Sequence, residues 1–356
     1  MTQPRIRLLI VDDSNFVRMA LRKMLEPADD IEIVGEARNG AEALRLSRKL
    51  KPHVVAMDLN MPIMDGIEAV QAIAREKGPP AIMVSNETSE GAAATIRALE
   101  TGAVDFVCKN TSFVTFDMAS IERQLTEKVR LWGRWRMAEL KEIAPPALTP
   151  APAPAPAETP AGRQAMARRP DLVVVGVSTG GPVTLVELLG LLGPLPCPLV
   201  VAQHMPATFT RGFAVSLSRT LRRPVEEGDN GTVLEPGTMT ILKGGGDLVA
   251  RRAGTGRFTL RAAPPEAEVH HPSANLLFRS AASEARAPVA VILTGMGDDG
   301  TAGAAEFVRR GHPVLVQDPA SCAVDGMPTA AIRAGVASEV LSIAAIGRKL
   351  NAWFTL

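Results

Sequence analysis

The chain alternates short, wholly apolar runs with longer stretches whose apolar residues recur at helical spacing. RLLIVDD precedes FVRMALRKML, EIVGEA precedes AEALRLSRKL, VVAMD precedes GIEAVQAIAR, AIMVSN precedes AAATIRALETG, and DFVCK precedes a long helical stretch from about Asp117. Runs that are apolar at every position predict strands buried on both faces, and the helical spacing predicts amphipathic helices laid over them. Five such βα units come first. The alternation resumes with DLVVVGVS, PVTLVELLGLL, PLVVAQH and an amphipathic helix over Phe209–Leu217, then ends with VAVILTGMG, GAAEFVRR, PVLVQD and a closing helix. This predicts an α/β protein of two doubly wound parallel-sheet domains. Between about Pro224 and Ala263, short β-like runs broken by Gly and Pro predict a small antiparallel patch in the second domain.

The two halves are separated by composition. Residues 144–170 read APPALTPAPAPAPAETPAGRQAMARRP, a stretch that buries little and favours extended polyproline of about 3.1 Å per residue. The expected organisation is a first domain over 1–125, a connecting helix over 126–143, an Ala/Pro-rich linker over 144–170 and a second domain over 171–356. Ile121, Leu125, Val129 and Trp132 fall at helical spacing and are expected to pack into protein rather than present a partner-binding face.

Composition narrows the function classes. A length of 356 residues exceeds one typical core. Net charge is +1, and no Lys/Arg block is interleaved with aromatics, so no nucleic-acid partner is expected. The apolar run Leu8–Val11 is too short for a signal peptide, and no stretch approaches the roughly 20 apolar residues of a membrane span. A cytoplasmic protein without membrane insertion is expected. Cys108, Cys197 and Cys322 form no metal or disulfide spacing and are expected to be reduced thiols.

In an open parallel sheet, ligands bind at the carboxyl ends of the strands. In the first half those ends carry Asp12 and Asp13, Asp58, Ser85 and Lys109. Carboxylates crowded into one pocket repel each other unless a cation shares it, and oxygen-only ligands suit Mg²⁺. A lysine and a hydroxyl beside them complement a phosphoryl group. The stretches VDDS, MDLNMPIMDG, MVSNET and DFVCKN resemble the signature positions of response-regulator receiver domains. That resemblance implies Asp58 as phosphoacceptor, with Asp13, Asp58 and the Asn60 carbonyl holding Mg²⁺ and Asp12 supporting it through water. It also implies Lys109 as the phosphate-pairing lysine, with Ser85 and Phe106 as the switch pair. Asn110 stands where receivers usually carry proline.

In the second half GVSTGG, residues 176–181, closes a strand with a serine among glycines. Such a stretch suits a nucleophile, a phosphate-binding loop or a tight turn. A serine nucleophile needs a base within reach. Of five histidines, His53 and His312 begin strands, at the wrong sheet edge; His270 and His271 lie in the irregular HHPSANLLF and could line a cleft, but no strand fixes their direction; His204 ends the strand after that of Ser178. Parallel strands put Ser178 and His204 at one edge. An orienting carboxylate from VAVILTGMGDDG is then Asp298 or Asp299. The order Ser, His, Asp is not that of α/β-hydrolases. Two rival readings are Cys322 as nucleophile and a nucleotide-binding output module, although the latter lacks a GKS/GKT lysine and a full G-x-G-x-x-G.

GVSTGGP, QHMPATFTRGFA, HHPSANLLF, ILTGMGDDG and SCAVDGMP together resemble the catalytic domain of chemotaxis protein-glutamate methylesterases of the CheB type, across residues 171–350. The resemblance implies Ser178 as nucleophile, His204 as general base and acid, Asp299 as its carboxylate, and the Thr179 and Met296 N–H groups as oxyanion donors. It further implies hydrolysis of glutamate γ-methyl esters and deamidation of glutamines on chemoreceptor cytoplasmic domains. No cofactor is implied for that reaction, and the receiver would be phosphorylated by a histidine kinase. TILKGGGDL departs from the family's pattern, in which IAPGG is followed by a histidine.

Overall fold

The computed structural model describes residues 4–86, 88–109, 118–140, 168–254, 256–264 and 270–356. Asn110 and nearly all of the Ala/Pro linker lie outside these residues. The chain divides into two compact units, Met1–Ala153 and Pro154–Leu356.

In the first unit, β1 (Ile6–Val11), α1 (Asn15–Leu25), β2 (Ile31–Ala37), α2 (Gly40–Leu50), β3 (Val54–Met57), α3 (Gly66–Arg75), β4 (Ala81–Asn86), α4 (Ser89–Thr101) and β5 (Asp105–Lys109) alternate. The strands form a parallel sheet of order β2-β1-β3-β4-β5. Helix starts follow local chemistry: Ser14 and Asn39 accept hydrogen bonds from the Val17 and Glu42 N–H groups, and Asp65 with Glu68 forms a capping box. One helix, α5 (Met118–Glu139), completes the unit and runs on through residue 125. It buries Ile121, Leu125, Val129 and Trp132 against β1, β3 and β5, so its apolar face is core. The strand order reverses between β1 and β3, which sends their following loops apart and opens a crevice at their carboxyl ends.

In the second unit the order is β6 (Leu172–Val177), α6 (Gly181–Gly190), β7 (Leu199–Gln203), α7 (Ala207–Leu221), β8 (Val225–Gly228), β9 (Val233–Leu234), β10 (Met239–Leu242), β11 (Leu248–Arg252) and β12 (Phe258–Ala262). Then come α8 (Ala274–Glu284), β13 (Pro288–Ile292), α9 (Thr301–Arg309), β14 (Val314–Gln317), α10 (Gly326–Arg333), β15 (Glu339–Leu341) and α11 (Ile343–Phe354). Seven strands form a parallel sheet of order β15-β14-β13-β6-β7-β10-β8, and β11-β12-β9 form a small antiparallel sheet.

The antiparallel patch is smaller than the expected Pro224–Ala263. β8 and β10 lie within that range but add to the parallel sheet, through β10 beside β7. The edge strand β8, VEEG, is buried only at its two ends, with Glu226 and Glu227 between them, so its sequence carries no wholly apolar run of the parallel kind. β6 is buried throughout and lies between β7 and β13, where the order reverses. Among the described residues no helix is long and apolar enough to cross a membrane.

Candidate active site

Register places the second unit's chemistry. Val177 at the end of β6 pairs with Gln203 at the end of β7, so Ser178 and His204 leave the sheet side by side. Their loops are sewn together by the His204 N–H donating to the Val177 carbonyl at 3.1 Å. On the other flank, the Ser178 N–H donates to the Thr294 carbonyl at 3.0 Å, which brings the loop after β13 against the serine. A Cβ on Gly295 would stand 2.8 Å from Ser178 Cβ and 2.2 Å from Met327 Sδ. Only glycine permits that approach.

Asp299 meets His204. Its Oδ2 lies 2.7 Å from His204 Nε2, with the Asp299 and His204 side chains 4% and 11% exposed. Asp298, its neighbour, is exposed. The free position on the ring is Nδ1, which has no hydrogen bond among the described residues; nor does Ser178 Oγ.

The start of α8 holds Asp299 in place. Asp299 Oδ2 also accepts from the Ala274 N–H at 2.7 Å, and Oδ1 accepts from the Asn275 N–H at 2.9 Å, the Gly300 N–H at 2.9 Å and Ser273 Oγ at 3.3 Å. Helix amides at an N-terminus favour an anion. Burial pushes the Asp299 pKa up, but the His204 contact and the α8 amides outweigh it and hold the carboxyl below its ordinary value. HHPSANLLF, one of the stretches that carry the family resemblance, therefore packs against Asp299, although its irregular pattern hides which of its groups do so. Asp247, in the departing segment TILKGGGDL, braces it by accepting from the Ser273 N–H at 2.7 Å and contacting His271 Nδ1 at 2.8 Å.

In the first unit Asp12, Asp13 and Asp58 offer oxygens all within 4.8 Å of one another. Lys109 Nζ donates to Asp12 Oδ2 at 2.6 Å and Asp58 Oδ1 at 2.7 Å, and the Asn60 N–H donates to Asp58 Oδ2 at 3.1 Å. Burial raises the Asp58 pKa; Lys109 opposes this and Asp12 adds to it, leaving it above the ordinary carboxylate value. Ser85 is buried at the end of β4, and Phe106 is partly buried, with Lys128 Nζ 5.6 Å from its ring centroid. A set of hard carboxylate oxygens with one exposed member, Asp13, fits Mg²⁺.

A family model described as CheB methylesterase matches residues 173–350, and one described as response regulator receiver domain matches residues 8–117. The protein-glutamate methylesterase/protein-glutamine glutaminase 1 of Oleidesulfovibrio alaskensis is 41% identical, covering 95% of this chain and 96% of the relative. The chain belongs to the CheB methylesterase family. Its relative from Nocardioides sp., a protein-glutamate methylesterase/protein-glutamine glutaminase, is 42% identical over 98% of this chain and 95% of its own length. Among solved structures, the Thermotoga maritima CheB methylesterase catalytic domain is similar at 35% identity, covering 51% of this chain and 98% of that one, with TM-score 0.49. The response regulator domain of the same organism's CheB is similar at 42% identity over 36% of this chain and 96% of that one, with TM-score 0.34.

Within the methylesterase domain, Cys322 is a poor nucleophile. Burial first, then Asp325 and Asp318, push its thiol pKa up to about 12, so almost none is thiolate at neutral pH. Three polar residues that the sequence reading did not single out are buried around the serine loop: Gln203, Thr294 and Gln317. Thr294 Oγ1 bonds the Thr179 and Val324 carbonyls, both at 3.0 Å, and the Thr294 N–H donates to Gln317 Oε1 at 2.8 Å. Each looks in sequence like an ordinary polar residue at a strand end.

Proposed function

We propose that this protein is a phosphorylation-activated serine esterase that hydrolyses glutamate γ-methyl esters, and deamidates glutamines, on the cytoplasmic domains of chemoreceptors. The observation that carries this reading is the 2.7 Å contact between His204 Nε2 and Asp299 Oδ2 at the sheet edge from which Ser178 emerges. Asp299 holds the tautomer with the proton on Nε2, leaving Nδ1 to accept the Ser178 proton as Oγ attacks the ester carbonyl. Charge developing on the carbonyl oxygen falls to the Thr179 and Met296 N–H groups. His204 returns the proton to departing methoxide, releasing methanol, or to the nitrogen of an amide, releasing ammonia. Water, deprotonated by His204, then frees the glutamate and restores Ser178.

In the receiver domain Asp58 takes a phosphoryl group from a histidine kinase. Asp13 and Asp58, with the Asn60 carbonyl and Asp12 behind them, would hold Mg²⁺, which supplies positive charge against the phosphoryl oxygens. Lys109 pairs with the bound phosphoryl group, and Ser85 and Phe106 transmit its arrival. We assign the receiver to 1–125, the connecting helix to 126–143, the linker to 144–170 and the esterase to 171–356, in the cytoplasm.

Methanol release from methylated chemoreceptor, with and without a phosphodonor, tests this directly. Turnover is expected to rise with acetyl phosphate and Mg²⁺ in the wild type and to be unchanged by them in Asp58→Asn. Turnover that persists in Ser178→Ala would sink the esterase assignment.

A further inference from the structure

The peptide bond that links Ser178 to Thr179 is held by its carbonyl. Gln203 Nε2 donates to the Ser178 carbonyl at 3.0 Å, and the Gly181 N–H donates to the same oxygen at 2.8 Å. A trans peptide is planar, with its C=O and N–H pointing opposite ways. Fixing the Ser178 carbonyl therefore fixes the direction of the Thr179 N–H, which has no hydrogen-bond partner among the described residues. A donor to the carbonyl also polarises the N–H of the same unit.

The second proposed oxyanion donor is built alike. Its peptide joins Gly295 to Met296, and the Gly295 carbonyl accepts from the Met327 N–H at 2.9 Å. There the anchor is main chain, from the first turn of α10. At Thr179 the main-chain donor, Gly181, is joined by one side chain, Gln203.

Gln203 is specialised for that task. It is 1% exposed, and its second Nε2 hydrogen reaches the His204 carbonyl at 3.2 Å, so one amide ties the turn bearing the nucleophile to the turn bearing the base. Its Oε1 is buried with no partner among the described residues. Burying an oxygen without a hydrogen bond is unfavourable, so this orientation needs a compensating reason. Turning the amide over would set that oxygen against two carbonyls. Gly181 completes the fit: a Cβ there would lie 2.1 Å from Gln203 Oε1, which accounts for the second glycine of the Ser-Thr-Gly-Gly turn.

We propose that Gln203 is a positioning residue of the esterase, fixing the Ser178–Thr179 peptide so that the Thr179 N–H is aimed at the oxyanion before substrate arrives. The proposal rests on the serine-esterase reading above. Its test uses the full-length protein, a peptide carrying a glutamate γ-methyl ester, and butylboronic acid, whose tetrahedral adduct with a serine places an oxygen in the oxyanion position.

Gln203→Met removes both donors at similar volume. The expected result is a kcat loss of roughly 10- to 100-fold with KM within about twofold, and a matching loss of boronate affinity. A kcat and boronate affinity within threefold of wild type overturn the proposal, as does a kcat loss without any loss of boronate affinity. If Gln203→Met does not fold, Gln203→Glu carries the test: its kcat relative to wild type should rise as pH falls and the carboxyl regains a donor proton, whereas a pH-independent ratio overturns the proposal. Ser178→Ala separates the two levels. Wild-type turnover in that variant removes the nucleophile, whereas an inactive Ser178→Ala beside a fully active Gln203→Met removes only the role of Gln203.

Discussion

His270 lies flat over His204, with ring centroids 4.7 Å apart and planes 15° from parallel. Burial, and next the neighbouring His204, hold the His270 pKa below the ordinary imidazole value, against the pull of Asp299 and Asp298. A second ring that stays neutral can buttress His204 without opposing the charge that the proposed mechanism puts on it. The linkage has a definite sign. Below an unfolded-state pKa of about 6.5, the unfolded chain gains a proton that the native chain resists, so stability is lost as pH falls from there towards the lower native pKa. His270→Phe keeps a flat ring and removes the titration. Its Tm should drop less between pH 7 and pH 5.5 than that of the wild type; equal drops would clear His270 of any part in acid sensitivity.

Asp299→Asn should be the most damaging isosteric change in the domain. An amide can turn its NH₂ towards His204 and stabilise the wrong tautomer, as in other triads, where the cost reaches about 10⁴ in kcat. We expect a kcat loss of roughly 10³- to 10⁴-fold with little change in KM, read by methanol release. Because Asp299 also caps α8 through Ala274 and Asn275, a modest fall in Tm should accompany it. Activity within tenfold of wild type would mean that another group orients His204.

Mg²⁺ should stabilise the receiver. A site of millimolar affinity at tenfold excess adds about 1.4 kcal/mol, a Tm shift of a few degrees. The wild type should show this shift in 10 mM MgCl₂ and lose it in EDTA. Asp13→Asn should abolish it while leaving basal methanol release unchanged, and a Mg²⁺ shift that survives Asp13→Asn would move the ion elsewhere.

Cys322→Ser should retain full esterase activity. With its thiol pKa near 12, the residue should also react slowly with iodoacetamide at pH 7, far more slowly than an activated thiol. Rapid alkylation that abolished methanol release would restore it as a candidate nucleophile.

Much of this was legible in the sequence because parallel sheets convert order along the chain into position. Wholly apolar runs identified β1, β3, β6, β7 and β13, and the residue after each run became a residue of one edge. That logic reached Asp12, Asp58, Ser178 and His204 without any view of side chains. It stopped at the choice between Asp298 and Asp299, which sit in the same loop; one is exposed and the other buried against α8. Burial of that kind depends on a helix that starts some 25 residues earlier in the chain, and local pattern does not record it. His270 was illegible for a similar reason, since an irregular segment has no periodicity to fix which way a ring faces. Gln203 and Thr294 were overlooked because their work is done on main-chain atoms, which every residue shares. β8 and β10 are four residues each, in a stretch broken by Gly and Pro, and so short a strand does not record which sheet it joins.

The cluster of donors around Asp299 has a consequence for where the reaction's proton can go. Five groups, from His204, Ser273, Ala274, Asn275 and Gly300, converge on its two oxygens, and a carboxylate offers only about four lone-pair sites. It is saturated, and a saturated carboxylate is a weak sink. A proton that reaches His204 therefore has no resting place further in. In the proposed mechanism the start of α8 thus keeps the proton on the reacting side of the imidazole: it comes from Ser178 or from water, and it goes to the leaving group or back to Ser178.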